Sequence, residues 1–254
     1  MKKLFAIISM LVIAASAMAQ EAREFCDKVF TGSNGAEVPY KVLYPENFKP
    51  EASYPLLLFL HGAGERGTDN ELQLTHGGDL LKTSPELRNV IVIVPQCPEE
   101  DYWARIIEEK SGEDRVFPLK APEAPTTTAV KELLDDMIAL GFADADRIYG
   151  TGLSMGAMGL LDMVMRYPDF FAAVEPICGG VNVERCKTYR GHTAFRFFHG
   201  LKDAVVLPKF SIEANDALKQ SGVETSIVTY PDATHGSWKN AFAEPDYLSW
   251  LFRH

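Results

Sequence analysis

Two runs of the chain, 55–60 and 90–94, are apolar without a polar break. A strand with one wet face alternates polar and apolar residues, so unbroken runs of this length read as strands covered on both faces. Upstream, 25–31 and 38–44 read as two further strands across the turn Gly32-Ser33-Asn34-Gly35, forming an antiparallel edge. Downstream, 147–151, 171–176, 194–198 and 225–230 supply four more strands. Helical spacing appears between them. Val130, Leu133, Leu134, Met137 and Ile138 share one helical face, with N-caps offered by Thr126 to Thr128 and a stop at Gly141. The run through Ala157, Leu160, Leu161 and Val164 also carries Met155, Met158, Met163 and Met165, so it lacks a polar face and belongs in the core. Segments 208–220 and 246–252 read as helices and 71–81 as a weaker one, while 96–125 shows no periodicity and reads as a long loop of the kind that is usually functional. Strand and helix alternate from residue 55 onward. This predicts an α/β fold with a mostly parallel central sheet, helices on both faces and a site at the carboxyl ends of the strands.

Composition adds an address. Lys2 and Lys3, an apolar run over 4–15 and Ala17-Met18-Ala19 have the layout of a secretory signal peptide over 1–19. The run is shorter than the roughly 20 apolar residues a membrane span needs, and Glu21, Arg23 and Glu24 follow it. No cysteine stands directly after the cleavage site, so neither a span nor a lipid anchor is expected. The predicted product is a secreted or periplasmic protein whose residues 20–254 form one domain with one core. A net charge of −10 argues against nucleic acid and anionic lipid as partners. Of the four cysteines, Cys26, Cys97, Cys178 and Cys186, the last two are close enough in sequence to staple a loop in an oxidising compartment, although other pairings are equally open.

The chemistry centres on Gly152-Leu153-Ser154-Met155-Gly156. A G-x-S-x-G pattern between a strand and a helix is a nucleophile elbow, with Ser154 on a strained turn and glycines where a side chain would collide. A serine needs a base and an acid to orient that base. Among six histidines, His235 lies in the loop after the last strand, where it can reach the elbow; His61 and His199, each before a glycine at a strand end, read as structural. Asp203, just past the strand that ends Phe198-His199-Gly200, completes the order serine, acid, histidine. Asp232 is tied to the His235 turn, and Glu175 at a strand end is the outside candidate for the acid. Acyl transfer also needs two N–H donors for the oxyanion. Met155 N–H, directly after the nucleophile, is one; Ala63 N–H, in the small-residue loop after the first buried strand, is the second. Tyr102, Trp103 and Trp238 are candidates for an aromatic substrate wall. No helical pair of histidines, carboxylate cluster or phosphate-cradling loop appears, so no metal or other cofactor is expected.

Leu60-His61-Gly62-Ala63-Gly64-Glu65-Arg66-Gly67, the elbow, His199-Gly200 with Asp203, and His235-Gly236 with Trp238 together resemble the α/β-hydrolase fold over about residues 37–254. More narrowly, the first stretch and Val94-Pro95-Gln96-Cys97-Pro98 are similar to secreted bacterial esterases of the feruloyl and acetyl-xylan esterase type, a group also described as peptidase-like. The resemblance implies a serine hydrolase that cleaves carboxylic esters through an acyl-enzyme, with small-molecule or polysaccharide-linked esters as substrates. Glu175 departs from it, a charge where an apolar residue is ordinary. Two other readings compete: a serine peptidase related to prolyl oligopeptidase, whose usual propeller domain has no room here, and a non-catalytic carbohydrate-binding form of the fold, which an intact triad opposes.

Overall fold

The computed structural model describes residues 23–108 and 115–254. The signal-peptide reading of 1–19 lies outside these residues, as does the middle of the long loop. Eight strands form one sheet in the order β1-β2-β4-β3-β7-β8-β9-β10. The hairpin of β1 (Cys26–Thr31) and β2 (Glu37–Leu43) is antiparallel, and β2 runs antiparallel to β4 (Ile91–Pro95). From β4 the sheet is parallel through β3 (Tyr54–Leu60), β7 (Ala143–Leu153), β8 (Ala173–Ile177), β9 (Ala194–Gly200) and β10 (Thr225–Tyr230). The two unbroken apolar runs are the adjacent β3 and β4, buried on both faces. The strand predicted over 147–151 is the middle of a longer one, because Ala143 already pairs with Tyr54 before the register shifts.

Two apolar layers sandwich the sheet. One is filled by α2 (Pro125–Ala139), α3 (Met155–Arg166), α4 (Val183–Thr188) and α5 (Lys209–Gln220); the other by α1 (Gly78–Thr83), α6 (Trp238–Ala241) and α7 (Tyr247–Leu251). The alternation of β-strand side chains assigns each residue its layer: Val174 faces the first, Ala173 and Ile177 the second. The helix expected over 71–81 is a 3-10 turn at Leu72–Leu74 followed by α1, since Gly77 at φ 94 interrupts it.

Several expectations change here. Thr126 to Thr128 do not cap α2; Ala124 stands at that position with Pro125 first in the helix. Thr126 instead bonds Asp101, and Thr127 donates to the carbonyl of Trp103 at 2.6 Å, so the first turn fastens the long loop. That loop is not structureless, since β5 (Ile107–Glu108) pairs with β6 (Arg115–Val116) as a small ribbon. Cys178 and Cys186 form no staple, and all four cysteines are thiols. Glu175 is buried facing the second layer, where Arg196 donates to it and also to Asp246 at 2.9 Å, fixing the start of α7 to the sheet. Its place is therefore a structural ion-pair network. Asp232 is paired on the surface with Lys202 at 2.6 Å.

Candidate active site

Ser154 stands between β7 and α3 with φ 53 and ψ −116, a left-handed backbone that side chains normally avoid. The strain persists because the neighbourhood leaves no alternative. A Cβ on Gly156 would lie 2.0 Å from the Leu60 carbonyl oxygen, and one on Gly152 2.9 Å from both that oxygen and the Gly156 backbone. Only glycines let helix, elbow and β3 pass this closely. Ser154 N–H is meanwhile paired to the Ile177 carbonyl at 2.9 Å.

The connections after β9 and β10 bring Asp203 and His235 to the elbow. His235 Nε2 is 2.9 Å from Ser154 Oγ, and His235 Nδ1 is 2.7 Å from Asp203 Oδ2. The other carboxylate oxygen, Oδ1, accepts the N–H groups of Val205 at 2.8 Å and Val206 at 2.9 Å. Burial favours the protonated acid, but the hydrogen bonds from His199, His235 and Val206 outweigh it and hold the Asp203 carboxyl well below the usual carboxylate range. The acid stays ionised and keeps Nδ1 of His235 as the donor, leaving Nε2 to accept the serine proton.

The oxyanion candidates sit at two chain ends that expose N–H groups. Met155 is the first residue of α3 and Ala63 the first of a 3-10 turn, Ala63–Glu65, positions whose N–H lacks an intrahelical acceptor. His61 holds this loop. Its Nδ1 is 2.6 Å from the Gly62 carbonyl, its Nε2 accepts Cys97 N–H at 3.0 Å, and its own carbonyl accepts the Trp103 indole at 3.1 Å. Burial pushes its pKa down to about 4, so the ring is neutral. His61 is therefore the structural histidine its sequence position suggested. Trp103 is corrected as a substrate wall: it is fully buried, packed on Gly159, and cannot touch a ligand. Tyr102 is half-buried under the Arg66 guanidinium, 5.5 Å from its ring centre. Trp238 is half-buried with its ring edge-to-face on His235 at 5.6 Å.

Two neighbours of the triad escaped the sequence reading. His199 Nε2 donates to the Val206 carbonyl at 2.9 Å and lies 3.3 Å from Asp203 Oδ2, so a second imidazole supports the acid. Its His-Gly position signals only a strand end. Cys178, just past β8 at φ 43, offers a sulfur within 4.8 Å of the Asp203 and His235 ligand atoms. Burial pushes that thiol up to about 12, keeping it as S–H behind the acid–base pair rather than as a thiolate.

A mostly parallel sheet whose serine elbow, acid and histidine follow β7, β9 and β10 in that order defines an α/β-hydrolase. The model of the "Putative esterase" family matches residues 31–241, and the chain belongs to that family. It is 25% identical over 201 residues to a "Probable carboxylesterase" of Oryza sativa subsp. japonica, covering 72% of this chain and 81% of the relative. Among solved structures it is similar to one described as a thermostable esterase, with a TM-score of 0.77 and 32% identity over 90% of this chain. The chain spans 62% of that structure's length. A ferulic acid esterase shares the fold at a TM-score of 0.65 and 19% identity, covering 90% of this chain and 96% of the other. The family and these relatives support a carboxylic-ester hydrolase of the serine type.

Proposed function

We propose that this is an exported esterase in which Ser154 is the nucleophile, His235 the general base and then acid, Asp203 the orienting carboxylate, and Met155 and Ala63 N–H the oxyanion donors. The observation that carries the reading is the unbroken hydrogen-bonded series from Ser154 Oγ through His235 to Asp203. Ser154 Oγ adds to the ester carbonyl carbon while its proton passes to His235 Nε2. The tetrahedral oxyanion then collapses, and His235 returns that proton to the departing alcohol. Water, deprotonated by the same imidazole, releases the acid and restores the serine.

For the acyl group we propose an aromatic or acetyl unit of the feruloyl or acetyl-xylan kind, carried on plant polysaccharide. Half-buried apolar side chains support it: Tyr102, Ile106, Phe117 and Phe210 pack over a buried base of Ala104, Met158 and Val206. Met158 N–H bonds the Ser154 carbonyl and Val206 N–H bonds Asp203, so this patch adjoins the triad. The test is hydrolysis of p-nitrophenyl acetate, methyl ferulate and a proline-containing peptide anilide by wild type and Ser154→Ala. Both esters should be cleaved, and the variant should lose at least about 10³-fold in kcat/KM. A variant with full ester activity would overturn the elbow assignment; cleavage of the anilide alone would favour a peptidase.

A further inference from the structure

Glu65, His76 and Trp238 lie beside the triad, and the acyl-transfer steps leave the polar ends of all three without a task. Glu65 follows Ala63 in the oxyanion loop and is only 8% exposed. Its carboxylate turns inward: a Cβ on Gly62 would stand 2.9 Å from Glu65 Oε2 and 2.8 Å from Leu153 Cδ1. Oε1 lies 3.7 Å from His76 Nε2, whereas Oε2 is buried with no hydrogen-bond partner. The His76 imidazole lies tilted against Trp238, with ring centres 4.9 Å apart, and Trp238 in turn meets His235. The indole Nε1–H is likewise buried with no acceptor. Folded proteins pair nearly all such groups, so an acceptor and a donor left open around one imidazole call for a ligand.

The chemistry of that ligand follows from the two open atoms. An ammonium satisfies the carboxylate but has nothing to offer the indole N–H, and an anion satisfies the indole but is repelled by Glu65. A hydroxyl both donates and accepts, so hydroxyl groups serve both. The location also has a side. His235 returns its proton to the departing alcohol, so a ring packed against His235 borders the alcohol half of the ester. We infer that Glu65 and Trp238, with His76 as their cover, form a subsite for hydroxyl groups on the alcohol half of the substrate, selecting polyhydroxylic, sugar-like alcohols. The His76 side chain is 33% exposed, making it the outer wall that turns aside to admit them. This inference rests on the esterase reading above.

Propyl acetate and 2,3-dihydroxypropyl acetate share a carbon skeleton and differ in two hydroxyls. The wild type should favour the diol ester by about tenfold or more in kcat/KM, because a site built to bond a hydroxyl discriminates against the analogue that lacks it. Glu65→Gln and Trp238→Phe should each reduce that ratio by about fivefold or more. The ratio is internal to each preparation and does not depend on how much of a variant folds. A wild type without preference, or variants that keep the wild-type ratio while losing rate on both esters, would overturn the subsite and leave the esterase reading standing. A wild type that cleaves no ester, p-nitrophenyl acetate included, would overturn both.

Discussion

His61 shows how one side chain links the loop's geometry to the behaviour of the protein in acid. It is neutral where it lies, donating to its own neighbour's carbonyl and accepting from Cys97 N–H, because burial lowers its pKa to about 4. In the unfolded chain the same ring takes a proton near 6.5, so between these values the unfolded state binds more protons and stability falls as pH falls. From pH 7 to 5 this amounts to about 2 kcal/mol. His61→Gln, measured by urea unfolding at both pH values, should lose about 2 kcal/mol less over that interval than the wild type; equal losses would mean that His61 is not the group responsible. At this scale the sequence was legible where chemistry is local. Gly152, Ser154 and Gly156 fall within one pentapeptide, and chain order alone pointed to Asp203 and His235. The support of Asp203 by His199, the sulfur of Cys178 behind the pair, and the meeting of Glu65, His76 and Trp238 were not legible, because each depends on packing between segments far apart in sequence.

At the scale of elements, a tight constraint is the passage of α3 across the end of β3. The Leu60 carbonyl occupies the space of a Gly156 Cβ, and backbone cannot yield as a flexible side chain can. Gly156→Ala should therefore cost about 3 kcal/mol or more, or abolish folding. Gly141 is the contrast: its φ of 79 is left-handed, yet a Cβ there meets nothing within 4 Å. Gly141→Ala should cost only about 1–2 kcal/mol. Denaturant midpoints of the two variants compare them directly, and similar losses would sink the steric argument. Periodicity revealed these elements well, since strands and helices that bury a full face must show it in the sequence. It failed at 71–81 and in 96–125, where short turns and a two-residue ribbon are held by tertiary bonds such as Thr126 to Asp101 rather than by a repeating pattern.

For the whole molecule, the sheet order sets which parts depend on which. The long parallel centre and its two apolar layers follow from unbroken apolar runs and alternation, and so were visible from the chain alone. The ion-pair network of Glu175, Arg196 and Asp246 was not, because a buried carboxylate in a strand reads as an anomaly until its cation is seen on the neighbouring strand. That network ties α7 to the second face. The strand next to it, β10, is the last in the sheet order and only half buried along its length.

That edge position has a consequence in time. The nucleophile is set by a turn in the interior of the sheet, but its base hangs from the connection that follows the edge strand β10. Fraying begins at such edges, where fewer neighbours must be released. Loss of turnover should thus run ahead of collapse. In rising urea, p-nitrophenyl acetate hydrolysis should decline at lower concentrations than the far-ultraviolet circular dichroism signal, and coincident curves would refute the idea. In such a molecule, catalysis acts as an early gauge of wear at one margin of the sheet while the centre still stands.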